Sequence, residues 1–70
     1  MWTSGKIDGF CFEIKHFEEG SEFGIDGGRI SKLWIGKGGR EYAHYSRGWD
    51  IYPTDPEAVK VYNEILKMYN

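Results

Sequence analysis

The chain has 70 residues and a net charge of −2, from nine Lys and Arg against eleven Asp and Glu. That length holds one domain, spanning 1–70, and excludes a second hydrophobic core, because so short a chain buries only about 60% of the surface it exposes when unfolded. The mild charge excludes a general nucleic-acid binder and an acidic mimic of DNA, the single Cys11 excludes an internal disulfide, and two histidines with one thiol give no zinc spacing.

Residues 2–17 read as a β-hairpin. Asp8-Gly9 is a preferred pair for a two-residue type I′ turn, because both positions need positive φ. The turn joins a short strand, about Thr3 to Ile7, to the run Phe10 to Phe17. In that run Phe10, Phe12 and Ile14 fall on one face, towards the core, while Glu13 and Lys15 point the other way. Cys11 shares the outer side, with nothing beside it to activate the thiol.

Residues 20–52 form a glycine-rich region of strands and turns. Glu18-Glu19-Gly20-Ser21 breaks the strand pattern, Phe23 to Ile25 is expected as a brief extended segment with Phe23 over the core, and Asp26-Gly27-Gly28 permits a reversal. Ile30 to Ile35 is a strand candidate, and Lys37-Gly38-Gly39 turns the chain into REYAHYS, where Tyr42 and His44 alternate with Ala43 and Tyr45. The helix of residues 55–69 is the clearest element. Thr54 and Glu57 have capping-box spacing, and Asp55-Pro56 is an alternative start with proline in the first turn. Val61, Tyr62, Ile65, Met68 and Tyr69 make its apolar arc, with Ala58, Val59 and Leu66 at the margins. The predicted fold is α+β: an antiparallel meander of four to five short strands packed against one C-terminal helix.

Between Ser21 and Asp50, glycine pairs stand among three arginines, two lysines and five aromatic rings. Such a mixture suits a backbone that comes close to a planar anionic ligand or a partner surface. In Gly27-Gly28-Arg29-Ile30-Ser31-Lys32, free backbone N–H groups, Arg29, Lys32 and the Ser31 hydroxyl can meet an anion, although for this motif alone a hairpin turn with solvated cations on a strand is the stronger reading. It is not a phosphate-binding P-loop, for the GxxxxGK[ST] order is absent. Tyr45-Ser46-Arg47-Gly48-Trp49-Asp50 places a guanidinium, an indole and a carboxylate within a few residues. That set can stack a ring and pair with its polar edge, or it can be a core anchor at Trp49 with an Arg47–Asp50 ion pair fixing a bulge. Trp34 and Tyr45 complete the ring set. His16 and His44 are each isolated in strands, so they are expected to be packed or half-exposed, and no nucleophile-and-base order points to catalysis.

SEFGIDGGRISKL followed by YSRGWD resembles a motif pair of small uncharacterised proteins of Gram-positive bacteria and of their phages and mobile elements. The likeness covers about Gly20 to Asp50. It implies a compact accessory protein, phage-encoded, and carries no functional residues with it.

The expectation is a non-enzymatic protein, without cofactor or metal, that sequesters a small anionic nucleotide-type ligand such as a host immune signalling molecule, with Arg29, Ser31, Lys32, Trp34, Tyr45, Arg47, Trp49 and Asp50 as the ligand-binding set. A chain this small is expected to complete its pocket as a homo-oligomer. The alternative is an interaction module or inhibitor that covers a functional surface of a host protein. A minimal phosphodiesterase using His44 and Asp50 ranks third, for want of supporting polar residues. The lone thiol, the absence of a signal-peptide pattern and the lack of any run near the roughly 20 apolar residues that span a bilayer predict a cytoplasmic protein that does not enter the membrane.

Overall fold

A computed structural model describes all 70 residues. Five antiparallel strands follow one another as neighbours: β1 (Trp2–Ile7), β2 (Phe10–His16), β3 (Ile30–Lys37), β4 (Arg40–Ser46) and β5 (Trp49–Ile51). The helix α1 (Pro56–Tyr69) closes one face of the sheet, so the architecture is the α+β meander that alternation and turn residues predict. Asp8 at φ 50° and Gly9 at φ 85° form the expected positive-φ turn between β1 and β2.

The core lies between the sheet's inner face and the helix. Phe10, Phe12 and Ile14 of β2, Leu33 and Ile35 of β3, and Ala43 and Tyr45 of β4 meet Ala58, Val61, Tyr62 and Ile65 of α1. The helix starts at the Asp55-Pro56 alternative and not at Thr54. One Asp55 carboxylate oxygen accepts from the backbone N–H groups of Glu57 (3.0 Å) and Ala58 (3.2 Å), while Pro56 fills the first turn. The buried stripe also differs from the one expected. Ala58 is fully buried instead of marginal, and Met68 is 50% exposed instead of part of the arc.

Two further expectations are corrected between β2 and β3. Residues Ile25–Gly27 form a 3₁₀ turn, not an extended segment, and Phe23 is 51% exposed, with its ring away from the core that Ile25 fills. Asn70, just past the helix, holds this loop: its Oδ1 accepts from the Ile30 N–H (3.0 Å) and its Nδ2 donates to the Ile25 carbonyl (3.1 Å).

Three bulges interrupt the ladder. Ser31 is the extra residue of β3 against β2, Tyr42 that of β4 against β3, and Asp50 that of β5 against β4. Each turns a side chain away from simple alternation. Tyr42 thereby reaches the core margin, edge-on to Phe10 at 5.1 Å between centroids, instead of lying beside His44.

Candidate functional site

The helix covers one side of the sheet only. The other side presents Trp2 on β1, Cys11, Glu13 and Lys15 on β2, Lys32 and Trp34 on β3, and His44 on β4. Strand pairing sets Lys15 directly opposite Lys32, and Lys32 opposite Ser46. Like charges facing each other across a strand pair are unfavourable. No carboxylate pairs directly with either lysine, since the one ion pair between side chains joins His44 and Asp50.

At this end of the sheet the two lysines meet Arg47. A cleft of about 370 Å³ is lined by Lys15, Phe17, Ser21, Phe23, Ser31, Lys32, Ser46 and Arg47, and no acidic side chain is among them. Local structure explains how Arg47 arrives. It occupies the left-handed region at φ 59°, uncommon for a residue with a Cβ, in the turn between β4 and β5. Its N–H donates to the Ser31 carbonyl (3.2 Å) at the β3 bulge, and its guanidinium lies 5.6 Å from the Phe23 ring centroid. The Ser31 hydroxyl lies 3.4 Å from the Lys15 carbonyl, tying β3 to β2 beneath the cations. Backbone strain held in place by neighbouring bonds is a feature of ligand-binding turns.

Tyr45 supports this arrangement from the core. It is buried, and its hydroxyl donates to the Phe23 carbonyl at 2.8 Å, which anchors the rim that carries the Phe23 ring.

A second cavity of about 210 Å³ adjoins the cleft and shares Lys32 with it. Its other lining residues are Trp2, Glu13, Leu33, Trp34, His44 and Tyr45. Trp34 lies down on the sheet over Gly36, where a Cβ would overlap the indole, and its Nε1 donates to a Glu41 carboxylate oxygen at 3.1 Å. Trp2 is 58% exposed, with the Lys15 ammonium 5.9 Å from its ring.

Of the expected ligand set, Ser31, Lys32 and Arg47 come together on the cleft, and Trp34 and Tyr45 line the adjoining cavity. Arg29 is not among the cleft residues: it lines a third depression with Met1, His16, Phe17 and Glu18, which shares only Phe17 with the cleft. Trp49 packs into an aromatic cluster with Tyr45 (4.9 Å), Tyr52 (4.8 Å) and Tyr62 (5.6 Å), which joins β5 to the helix. Asp50 pairs with His44 Nδ1 at 3.1 Å and not with Arg47, so the bulge before Pro53 forms with a different partner and His44 is not isolated. His16 is not isolated either: its Nε2 lies 2.9 Å from the Thr3 hydroxyl and its ring packs on Tyr69. The three arginines therefore do not gather; the cations that do are two lysines and one arginine.

Sequence reading missed Lys15, Phe17, Ser21, Phe23 and Ser46 at the cleft, and Trp2 and Glu13 beside it. Alternation already placed Lys15 and Glu13 on the outer side. Only the register, which opposes Lys15 to Lys32, shows which residues of the next strand they meet.

Among all residues, no three His, Cys, Asp or Glu side chains gather to hold a metal ion, and no helix is long and apolar enough to cross a membrane. A family model for a domain of unknown function (DUF7678) matches residues 1–70. The chain belongs to this family. No curated protein and no solved structure matches it. The family match extends to the whole chain and assigns no activity, so the arrangement of residues on the open sheet face is what bears on function.

Proposed function

We propose that the protein sequesters a small anionic ligand of nucleotide type, without transforming it, in the cleft of Lys15, Lys32 and Arg47. One observation carries the reading: three cations from separate segments converge with three serine hydroxyls, and no carboxylate pairs with them, in a chain whose overall charge is negative. Opposed lysines repel, and an anion between them converts that cost into binding. Serine hydroxyls and a guanidinium then supply the directional hydrogen bonds that phosphate oxygens accept.

The phage or mobile-element source implied by the motif pair belongs to the same proposal, with a host immune signalling molecule as the ligand. So does self-association, because exposed Phe17 and Phe23 flank an open cleft that a second chain would close. The His44–Asp50 pair, 40% and 66% exposed, is where hydrolysis would begin if the protein were an enzyme. Recovery of the ligand unaltered separates sequestration from turnover.

Titration calorimetry with inorganic pyrophosphate tests the cleft. Binding is expected to weaken with salt and to drop at least about tenfold in Lys32→Ala and in Arg47→Ala, as loss of a charge-assisted hydrogen bond requires. No heat and no thermal shift with pyrophosphate or with any nucleotide would sink the proposal. The exposed rings of Trp2, Phe23 and Tyr52 favour a second reading, an inhibitor of a host protein, since aromatic side chains are enriched among binding hot spots. A stoichiometric protein complex that forms equally well with Arg47→Ala and Lys32→Ala would favour that reading over the first.

A further inference from the structure

The cleft does not end at its cations. Lys32 is a wall both of the basic cleft and of the indole-lined cavity beside it, so one ligand lying along Lys32 on the open face of the sheet would reach into both. Their chemistry differs sharply. The cleft offers cations and hydroxyls, while the adjoining cavity offers two indoles, Trp2 and Trp34, and one carboxylate without a cation partner, Glu13. A ligand that satisfies both ends is negative at one end and flat at the other.

Trp34 is prepared for such a contact. The Glu41 bond and the bed provided by Gly36 hold its ring down on the sheet, so little side-chain freedom remains to be lost when a planar group meets it. Trp2 on the edge strand is its exposed counterpart, open to a second ring. His44 closes the far side, fixed by Asp50.

Glu13 decides which planar group fits. An ionised carboxylate only accepts hydrogen bonds. Guanine presents two adjacent donors, N1–H and the N2 amino group, which the two oxygens of one carboxylate can receive together. Adenine presents an amino donor beside the N1 lone pair, and that lone pair faces the carboxylate as acceptor against acceptor.

We propose that the cavity between Trp2, Trp34 and Glu13 takes the base of a guanine nucleotide whose phosphate lies in the Lys15–Lys32–Arg47 cleft. The assignment rests on the anion-binding reading of that cleft and adds the identity of the base. Stacking on aromatic rings contributes substantially to binding for every base, and the carboxylate supplies the choice among bases.

Calorimetry with GMP, AMP and inorganic pyrophosphate tests both layers. GMP is expected to bind about tenfold or more tightly than AMP and than pyrophosphate. Trp2→Ala and Glu13→Gln, at exposed positions of an otherwise intact sheet, are expected to remove most of the advantage of GMP over AMP, with pyrophosphate binding retained in both and, in Glu13→Gln, no weaker, since a negative charge near Lys15 and Lys32 is lost. Thermal unfolding of each variant confirms that it is folded. Equal affinities for GMP and AMP, or a GMP affinity no better than that of pyrophosphate, would overturn the guanine assignment and leave the anion cleft standing. Failure of all three to bind would remove the cleft reading, and the base site with it.

Discussion

On β2, Ile14 is fully buried while its neighbours Glu13 and Lys15 face outward, and β3 repeats the pattern with Leu33 and Ile35 against Lys32 and Trp34. One face of the sheet is therefore filled with Phe, Ile, Leu and Ala against a helix, and the other, a residue away along every strand, carries lysines, a carboxylate and indoles in the open. With one helix and one sheet the chain has no second layer to cover the other face, and Trp2, Phe17 and Phe23 stay exposed. Stability must come from one side, which leaves the other free to hold arrangements that cost energy, such as the opposed Lys15 and Lys32.

The sharpest way to break this contrast is a pair of substitutions on β2. Ile14→Ala removes a fully buried side chain and is expected to destabilise by about 2–5 kcal/mol, a large share of the margin of so small a domain. Cys11→Ala, on the open side of the same strand, should stay within about 0.5 kcal/mol. Urea titration of both variants checks it. Comparable losses would show that the outer face is also a packed surface, covered in solution by something else.

Asn70→Ala comes next. Asn70 spans the ends of the loop between β2 and β3, accepting from Ile30 and donating to Ile25. Leaving two partly buried backbone groups without partners is expected to cost about 1–3 kcal/mol. Hydrogen exchange localises the effect: protection should fall at the Ile30 amide and through the loop that carries Phe23, and remain high at Ile35 in the middle of the sheet.

These two sites differ in how visible they were beforehand. Ile14 was legible because alternation is local: Phe10, Phe12 and Ile14 repeat every second residue, and a strand has no other way to bury them. Asp55-Pro56 was legible as a possible helix start for the same local reason, although Thr54 competed with it until the carboxylate bonds to Glu57 and Ala58 decided the cap. Asn70 carried no signal, because its partners lie 40 and 45 residues away. The cleft was half legible. Ser31, Lys32 and Arg47 stood out by residue type, whereas Lys15 joins them through register, and Trp49 and Asp50 leave them because one bulged residue redirects β5. Alternation gives no bulge positions; here the Arg-Gly-Trp-Asp run had offered a bulge with Trp49 as a core anchor, and only the ion-pair partner differs.

On the covered face, burial moves the titration of Tyr62. Its hydroxyl is pushed up from 10.0 to about 12, first by burial and then by the negative charge of Asp26 and by neighbouring Tyr52 and Tyr45. Above pH 10.0 the unfolded chain releases a proton that the folded protein retains, so this contribution to stability is complete below pH 10.0 and is lost as the pH rises through about 12. Ultraviolet absorbance should show a tyrosine ionising near pH 12, and Tyr62→Phe should remove that step together with its share of the alkaline loss of stability.

The smallest effect on stability bears most directly on the open face. Lys32→Ser removes one of two opposed like charges, so at low salt the protein should become no less stable and gain a few tenths of a kcal/mol, with the gain fading as salt screens the pair. Pyrophosphate binding should fall at the same time, because the two consequences share one cause: a repulsion that the free protein bears and an anion relieves. Measuring unfolding with and without pyrophosphate tests the link, since bound ligand stabilises only the state that binds it. If Lys32→Ser destabilises the free protein by 1 kcal/mol or more, an amount on the order of a partly buried interaction, the Lys32 side chain is a packing element of β3. The lysine pair would then not be a place where stability is given up for binding.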